Sequence, residues 1–337
     1  MSQVPPAHMP APWLAPALKG LLRQRGHAWL LSGPSGLGQY TLALELARAW
    51  LCLQPSEEGA CGHCASCRNI DLRTHADLRV LMPETQMLDK GWPLHEKAQK
   101  EIDDKDRKPS REIRVDAARD MVAFTQTTRS GGRNKVVLIY PAERMNHITA
   151  NTILKTLEEP PGDTRFLLVS EAAHLLLPTL RSRCQTHHLT WPDAAPALQW
   201  LSAQGVPSAD AQVLLDAAGG RPEDAWALAQ GGLKASTWLA LPKAVARGDA
   251  QALQALSPPQ AVAVLQKVCH DCLLLAVGAA PRFFPTQALP MGAPLAALTQ
   301  WSKDLMASAK TAEHPFNAGL MLEALVSQAR GALQPPH

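Results

Sequence analysis

The sequence predicts an α/β fold, a parallel sheet flanked by helices and followed by all-helical segments. Three observations carry that reading. Short apolar runs alternate with helix-patterned stretches through the first half of the chain. A glycine-rich loop lies between the first such run and the helix that follows it. Beyond about residue 190 the strand patterns stop, and alanine- and leucine-rich helix patterns take over. With 337 residues, the chain is long enough for two or three domains.

The first apolar run, His27-Ala28-Trp29-Leu30-Leu31-Ser32, reads as a short buried strand, and Thr41 to Trp50 reads as a helix. Between them lies Gly33-Pro34-Ser35-Gly36-Leu37-Gly38-Gln39-Tyr40. A working phosphate loop reads G-x-x-x-x-G-K-[ST]: backbone N–H groups cradle the phosphates, the lysine reaches the β/γ-phosphates and the hydroxyl binds Mg²⁺. Here Gly33, Gly36 and Gly38 keep the backbone form, but Gln39 stands in place of the lysine and Tyr40 in place of Ser or Thr. An amide brings no charge against a triphosphate, and a phenol oxygen projects too far from the backbone to take the metal position. The expectation is a degenerate loop with weak or no ATP binding and no hydrolysis.

After that helix, Cys52, Cys61, Cys64 and Cys67 give the spacing C-x8-C-x2-C-x2-C, with Gly59 and Gly62 supplying tight turns. Four of the seven cysteines in so short a segment point to metal before disulfides. Four thiolates close a tetrahedral shell around Zn²⁺ and leave no open position, so the expected role is structural. His63 lies inside the knuckle as an alternative to one cysteine, and metal-free redox-labile thiols are the plainer alternative. Cys269 and Cys272 form a second C-x2-C, but within a helical pattern that reads as buried cysteine.

Leu78 to Met82, Lys135 to Tyr140 and Arg165 to Ser170 read as three further strands, separated by helices over Val115 to Thr125 and Ile148 to Glu159. Pro160-Pro161 stops the latter helix. In a P-loop ATPase the strand equivalent to Val136 to Ile139 ends in acidic residues that hold Mg²⁺ and position water. Here it ends in Tyr140-Pro141-Ala142-Glu143, so a second catalytic station is missing, and Glu143 is read as a surface residue. Residues 83–112 turn polar and charged and read as a mobile loop or insertion.

The fourth strand is followed by Leu177-Pro178-Thr179-Leu180-Arg181-Ser182-Arg183-Cys184-Gln185. Its Ser182-Arg183-Cys184 is similar to the Ser-Arg-Cys signature of clamp-loader subunits in the AAA+ superfamily. Adding the cysteine module, the Leu154-Lys155-Thr156-Leu157-Glu158-Glu159-Pro160-Pro161 run and the altered phosphate loop, the chain resembles the delta-prime family of the bacterial DNA polymerase III clamp loader. Specific motifs cover roughly residues 10 to 235.

That resemblance implies an AAA+ P-loop-like domain with a zinc module over 1–190, a helical lid over 191–236 and a helical collar for oligomerisation over 237–337. It implies Arg183 as an arginine finger acting in trans on ATP held by a neighbouring subunit, with Arg181 as the nearby competitor and a purely structural arginine paired with a carboxylate as the plainer alternative. Ser170 falls at a polar water-sensing station and Arg221 at the second sensor arginine of the lid, where a helix-start or packing role is the reading for this chain. The implied partners are gamma/tau-type motor subunits and the delta subunit, with the sliding clamp and primer-template DNA reached through the complex. The competing readings are an active AAA+ ATPase and a zinc-dependent nucleic-acid-binding protein.

In the C-terminal half, Trp191 to Pro196 reads as a linker, and Ser208 as the N-cap of a helix closed by Gly219-Gly220. Longer helices are expected over Ala261 to Val277 and Pro315 to Gly331. A formal charge of +3 is too small for autonomous nucleic-acid binding. No apolar run suits a bilayer, and Met1-Ser2-Gln3-Val4-Pro5-Pro6 lacks a signal pattern, so a cytoplasmic protein is expected.

Overall fold

A computed structural model describes residues 11–131, 134–312, 314 and 317–334. The N-terminal hexapeptide and the start of the last expected helix, Pro315-Phe316, lie outside them. The chain divides into two compact units, Met1–Pro192 and Asp193–His337.

The first unit runs α1 (Leu14–Leu22), β1 (Ala28–Ser32), α2 (Gln39–Leu51), α3 (Ala65–Asp71), β2 (Leu78–Leu81), α4 (Glu84–Asp89), α5 (Glu96–Asp103), α6 (Val115–Gln126), β3 (Lys135–Ile139), α7 (His147–Glu158), β4 (Thr164–Ser170), α8 (Pro178–Arg181) and β5 (Gln185–His188). The strands form one parallel sheet in the order β2-β3-β4-β1-β5. Four of them are the apolar runs of the sequence, and β1, β3 and β4 are buried on both faces because helices cover a parallel sheet on both sides. Register sets Phe166 of β4 beside Ala28 of β1 on one side and Val137 of β3 on the other. Ala28, Val137 and Phe166 share one core with Met121 of α6 and Ile153 and Leu157 of α7. Asn146 caps α7 by accepting from the Thr149 N–H at 2.9 Å, and the helix ends before Pro160.

The fifth strand is not among the sequence expectations. Gln185-Thr186-His187-His188 contains no apolar residue, lies at the sheet edge and joins β1 through backbone pairing. Hydrophobic periodicity is silent about a strand that buries so little.

Residues 83–112 correct the expectation of a mobile loop. They hold two short helices, α4 and α5, tied by paired charges: the Arg107 guanidinium forks onto both oxygens of buried Glu84 at 2.5 and 2.7 Å and also donates to Glu101 at 2.7 Å. Composition counts these charges without revealing that they neutralise one another. Glu143 is likewise corrected. It is half-buried, and its Oε1 accepts the backbone N–H of Glu171 at 3.1 Å.

The second unit is helical: α9 (Ala194–Ala203), α10 (Ser208–Ala217), α11 (Pro222–Gln230), α12 (Ala235–Ala246), α13 (Pro258–Ala276), α14 (Leu295–Thr311) and α15 (Ala318–Leu333). Its core gathers Trp238, Leu265, Trp301, Leu305 and Leu325, together with Ala217 of α10. Ser208 is the first helical residue of α10, after Pro207 at the cap, and makes no capping bond; the sequence expectation was one residue late. Gly219 and Gly220 do close α10, both at positive φ, with the Gly220 N–H donating to Leu215 O at 2.8 Å. Cys269 and Cys272 are buried in α13, where burial pushes their thiols up to about 11 and about 12. No helix of the described residues is long and apolar enough to cross a membrane.

Candidate functional site

The glycine loop leaves β1, which lies between β4 and the edge strand β5, and turns into α2. Gly36 and Gly38 take φ of 75° and 93°, the left-handed region that a side chain resists. Gly33 donates to Ser170 O of β4 at 3.2 Å, which anchors the loop to the neighbouring strand end. This is the backbone of a phosphate loop, but its interior is filled. Gln39 is buried, and its Nε2 donates to Gly33 O at 2.6 Å and also to Pro34 O, so the amide that replaces lysine is spent on the loop's own carbonyls.

Tyr40 turns toward the end of β3. Its ring stacks on Tyr140 with centroids 5.2 Å apart, and its hydroxyl accepts from Trp92 Nε1 at 2.7 Å. Burial raises the Tyr40 pKa, against the Trp92 hydrogen bond and the Arg73 charge, so the phenol stays neutral. The Tyr140 hydroxyl donates to Glu171 Oε1 at 2.7 Å. The Lys90 ammonium lies over both rings, 4.8 Å from the Tyr40 centroid and 5.8 Å from that of Tyr140. The hydroxyl and the acid that hold Mg²⁺ in a working site come from these two stations; here both are aromatic. Lys90, Trp92 and the role of Tyr140 were not found by motif reasoning. One signal was available: the chain has two tyrosines, and both stand at these stations.

The four cysteines converge. Sγ separations are 3.5 Å for Cys52–Cys61 and Cys64–Cys67 and 3.8 Å for Cys52–Cys64 and Cys52–Cys67, and all four sulfurs lie within 4.8 Å of one another. A tetrahedron of sulfurs about 2.3 Å from a metal has edges of about 3.8 Å, so the cluster could hold one ion. Local folding delivers the ligands: Cys64 caps α3, accepting from the Cys67 N–H at 3.5 Å, and the N–H groups of Gln54 and Cys61 donate to Cys52 Sγ at 3.4 and 3.3 Å. Burial would raise the Cys64 pKa, but the N–H groups of Cys67 and Leu53 outweigh it and leave the thiol at about 6. His63 stands outside the cluster, with its Nδ1 2.9 Å from Cys61 O. Among the described residues, Cys269 and Cys272 gather no third ligand.

Arg183 follows α8, beside the edge strand. It donates to Glu158 Oε2 through Nε at 2.9 Å and Nη2 at 2.7 Å, and to Thr179 O through Nη1 at 3.0 Å. The pair is at the surface, with 31% of the arginine side chain and 56% of the glutamate exposed. Arg181 is exposed at the end of α8. Ser170 is fully buried, its Oγ accepting the Ala172 N–H at 3.2 Å. Arg221 sits at the N-cap of α11 and pairs with Asp224 of the first turn at 2.5 Å, a helix-start role.

A family model described as DNA polymerase III, delta subunit, matches residues 20–193. The DNA polymerase III subunit delta' of Pseudomonas aeruginosa is 42% identical over 203 residues, 59% of this chain and 54% of that protein. The subunit delta' of Escherichia coli is 36% identical over 227 residues, 65% of this chain and 61% of that protein. The matched segment thus spans little more than half the length of these relatives. A DNA polymerase III gamma subunit-related protein of Thermotoga maritima shares the fold, with a TM-score of 0.50 and 14% identity over 95% of this chain and all of that one. The chain belongs to the delta-prime family of DNA polymerase III subunits.

Proposed function

We propose that this chain is a non-hydrolysing subunit of the replicative clamp loader, helping ATP-driven motor subunits to place a sliding clamp on primed DNA. The observation that carries the reading is the filled loop: Gln39 bonds the carbonyls of Gly33 and Pro34 while Tyr40 stacks on Tyr140, so lysine, metal ligand and acid are replaced together. Arg183 is the residue offered to a neighbour, as a finger on ATP bound across the subunit boundary. A guanidinium suits that role because its planar fork matches phosphoryl oxygens. Its exposed pair with Glu158 is worth about 0–1 kcal/mol, so exchanging the carboxylate for a phosphate costs little.

The partners are gamma/tau-type motor subunits and a delta subunit, with clamp and primer-template DNA engaged through the complex. The cysteine cluster holds structural Zn²⁺, a closed four-sulfur shell with no catalytic position. Residues 191–236 serve as a lid and 237–337 as the collar that joins neighbouring subunits, and the protein works in the cytoplasm. The test is ATP turnover by the reconstituted complex with clamp and primed DNA, comparing wild type with Arg183→Ala after gel filtration shows equal assembly. A large loss supports the trans finger, and unchanged turnover removes it. Saturable ATP hydrolysis by the isolated chain would instead favour an active ATPase.

A further inference from the structure

The charged segment 83–112 reaches the filled phosphate loop. Its two ends are fastened to each other: Glu84 accepts the Arg107 fork and the Ser110 N–H at 2.8 Å, and the Thr85 N–H donates to Ser110 O at 3.2 Å. Alone, six-residue α4 is far shorter than a helix that persists in water; these contacts hold its first turn. Its last turn closes with the Lys90 N–H on Gln86 O at 3.0 Å and the Trp92 N–H on Met87 O at 2.8 Å, with Gly91 at a φ of 68° between them.

That turn delivers three contacts to one place. Trp92, buried, donates to the Tyr40 hydroxyl at 2.7 Å. Lys90 lies over the Tyr40–Tyr140 pair. Arg73, just beyond the cysteine-bearing α3, lies 4.6 Å over the Trp92 ring.

We infer that residues 83–112 form a self-locking strap that fills the nucleotide station from within, with Lys90 and Trp92 standing where a metal–nucleotide would otherwise bring charge and contact. The inference rests on the nucleotide-free reading of the loop and adds a device to it. A tethered cation on the stacked tyrosines supplies the positive charge between the two stations, and the indole N–H occupies the hydroxyl that took the metal ligand's place. The subunit thereby keeps one arrangement of loop, β3 end and strap whether or not ATP is present.

Amide hydrogen exchange on the full chain tests this, comparing wild type, Trp92→Phe, Tyr40→Phe and the double variant, with the β3 amides as internal control. Both single changes keep an aromatic ring and remove one end of the same hydrogen bond. Each is expected to speed exchange of 84–92 relative to β3 by about threefold to tenfold, the yield of one hydrogen bond. The double variant is expected to match either single one, because the bond can be lost only once. Unchanged exchange, additive effects, or equal acceleration along the whole sheet would each overturn the strap. Millimolar Mg·ATP added to wild type is expected to leave the strap amides unchanged. Nucleotide protection of the phosphate-loop amides in the wild type, with the variants behaving as stated, would sink the nucleotide-free reading while leaving the fastening intact.

Discussion

Gln39 is buried and spends its donors on Gly33 and Pro34, whereas Arg183 keeps 31% of its side chain exposed and holds Glu158 at the surface. The first lines the loop in which a working P-loop would receive a phosphate; the second is the arginine proposed to reach a neighbour's. The first is closed by packing, hydrogen bonds and the Tyr40–Tyr140 stack; the second is held at the surface by an exposed carboxylate and the Thr179 carbonyl. Buried, fully paired groups resist change because breaking them strands a polar atom, while exposed ion pairs exchange partners at little cost. Gln39 is therefore held in a way that is hard to reverse, and Arg183 in a form that exchanges partners at little cost.

The sharpest way to break this contrast is at Arg183. In the reconstituted complex, Arg183→Ala is expected to lower ATP turnover by about 10³-fold, with Arg183→Lys recovering little because it keeps the charge and loses the fork. A loss smaller than tenfold, read from steady-state phosphate release, would leave both stations structural. The cysteine cluster comes next, because its four sulfurs converge within 4.8 Å of one another between α2 and α3. Cys67→Ser, or a chelator on wild type, is expected to lower the thermal midpoint of the first unit by about 5–10 °C: loss of a buried ligand costs a few kcal/mol, and about 1 kcal/mol moves a unit of this size by 2–4 °C. Differential scanning calorimetry with metal analysis reads both the midpoint and zinc content, and full stability without metal would contradict the zinc assignment.

A smaller effect is expected at the closed station. Gln39→Ala removes the donor to two carbonyls and is expected to cost about 1–2 kcal/mol in urea unfolding without creating affinity for ATP in equilibrium dialysis. ATP binding by this variant would show that the amide alone excludes nucleotide. The smallest belongs to Glu158→Gln, which removes the negative charge from the Arg183 pair and leaves the Thr179 bond in place. Stability is expected to change by less than about 1 kcal/mol, and turnover of the complex to stay within about twofold of wild type. A fall as deep as that of Arg183→Ala would mean that the arginine works through its pair and not on a neighbour's phosphate.

Legibility in the sequence followed burial. Leu30-Leu31, Val136 to Ile139 and Phe166 to Val169 announce their strands because both faces are covered, and an apolar run is the signature of that environment. Gln185 to His188 announces nothing, since an edge strand held by backbone bonds leaves its side chains free to be polar. The cysteine cluster was legible because sulfurs able to hold one ion must be close in space, and short loops make them close in sequence. Glu158 as the partner of Arg183 was not legible, because the two are 25 positions apart and meet only where α7 passes the end of α8.

By itself the sequence determined which side chains stand at the stations of the glycine loop. Gln39 carries no charge and Tyr40 ends in a phenol wherever they lie, and β3 runs into Tyr140 with no acid beside it, so identity alone removes the lysine, the metal ligand and the acid. It also determined the sulfur content of the knuckle and the family signature around Arg183. Only the tertiary structure decided what replaced the lost groups. A side chain's identity says which bonds it can make, but the choice among partners depends on atoms brought within a few ångströms by the fold. That is why Tyr140, Lys90 and Trp92, 100, 50 and 52 positions from Tyr40, became its neighbours without any local pattern to mark them.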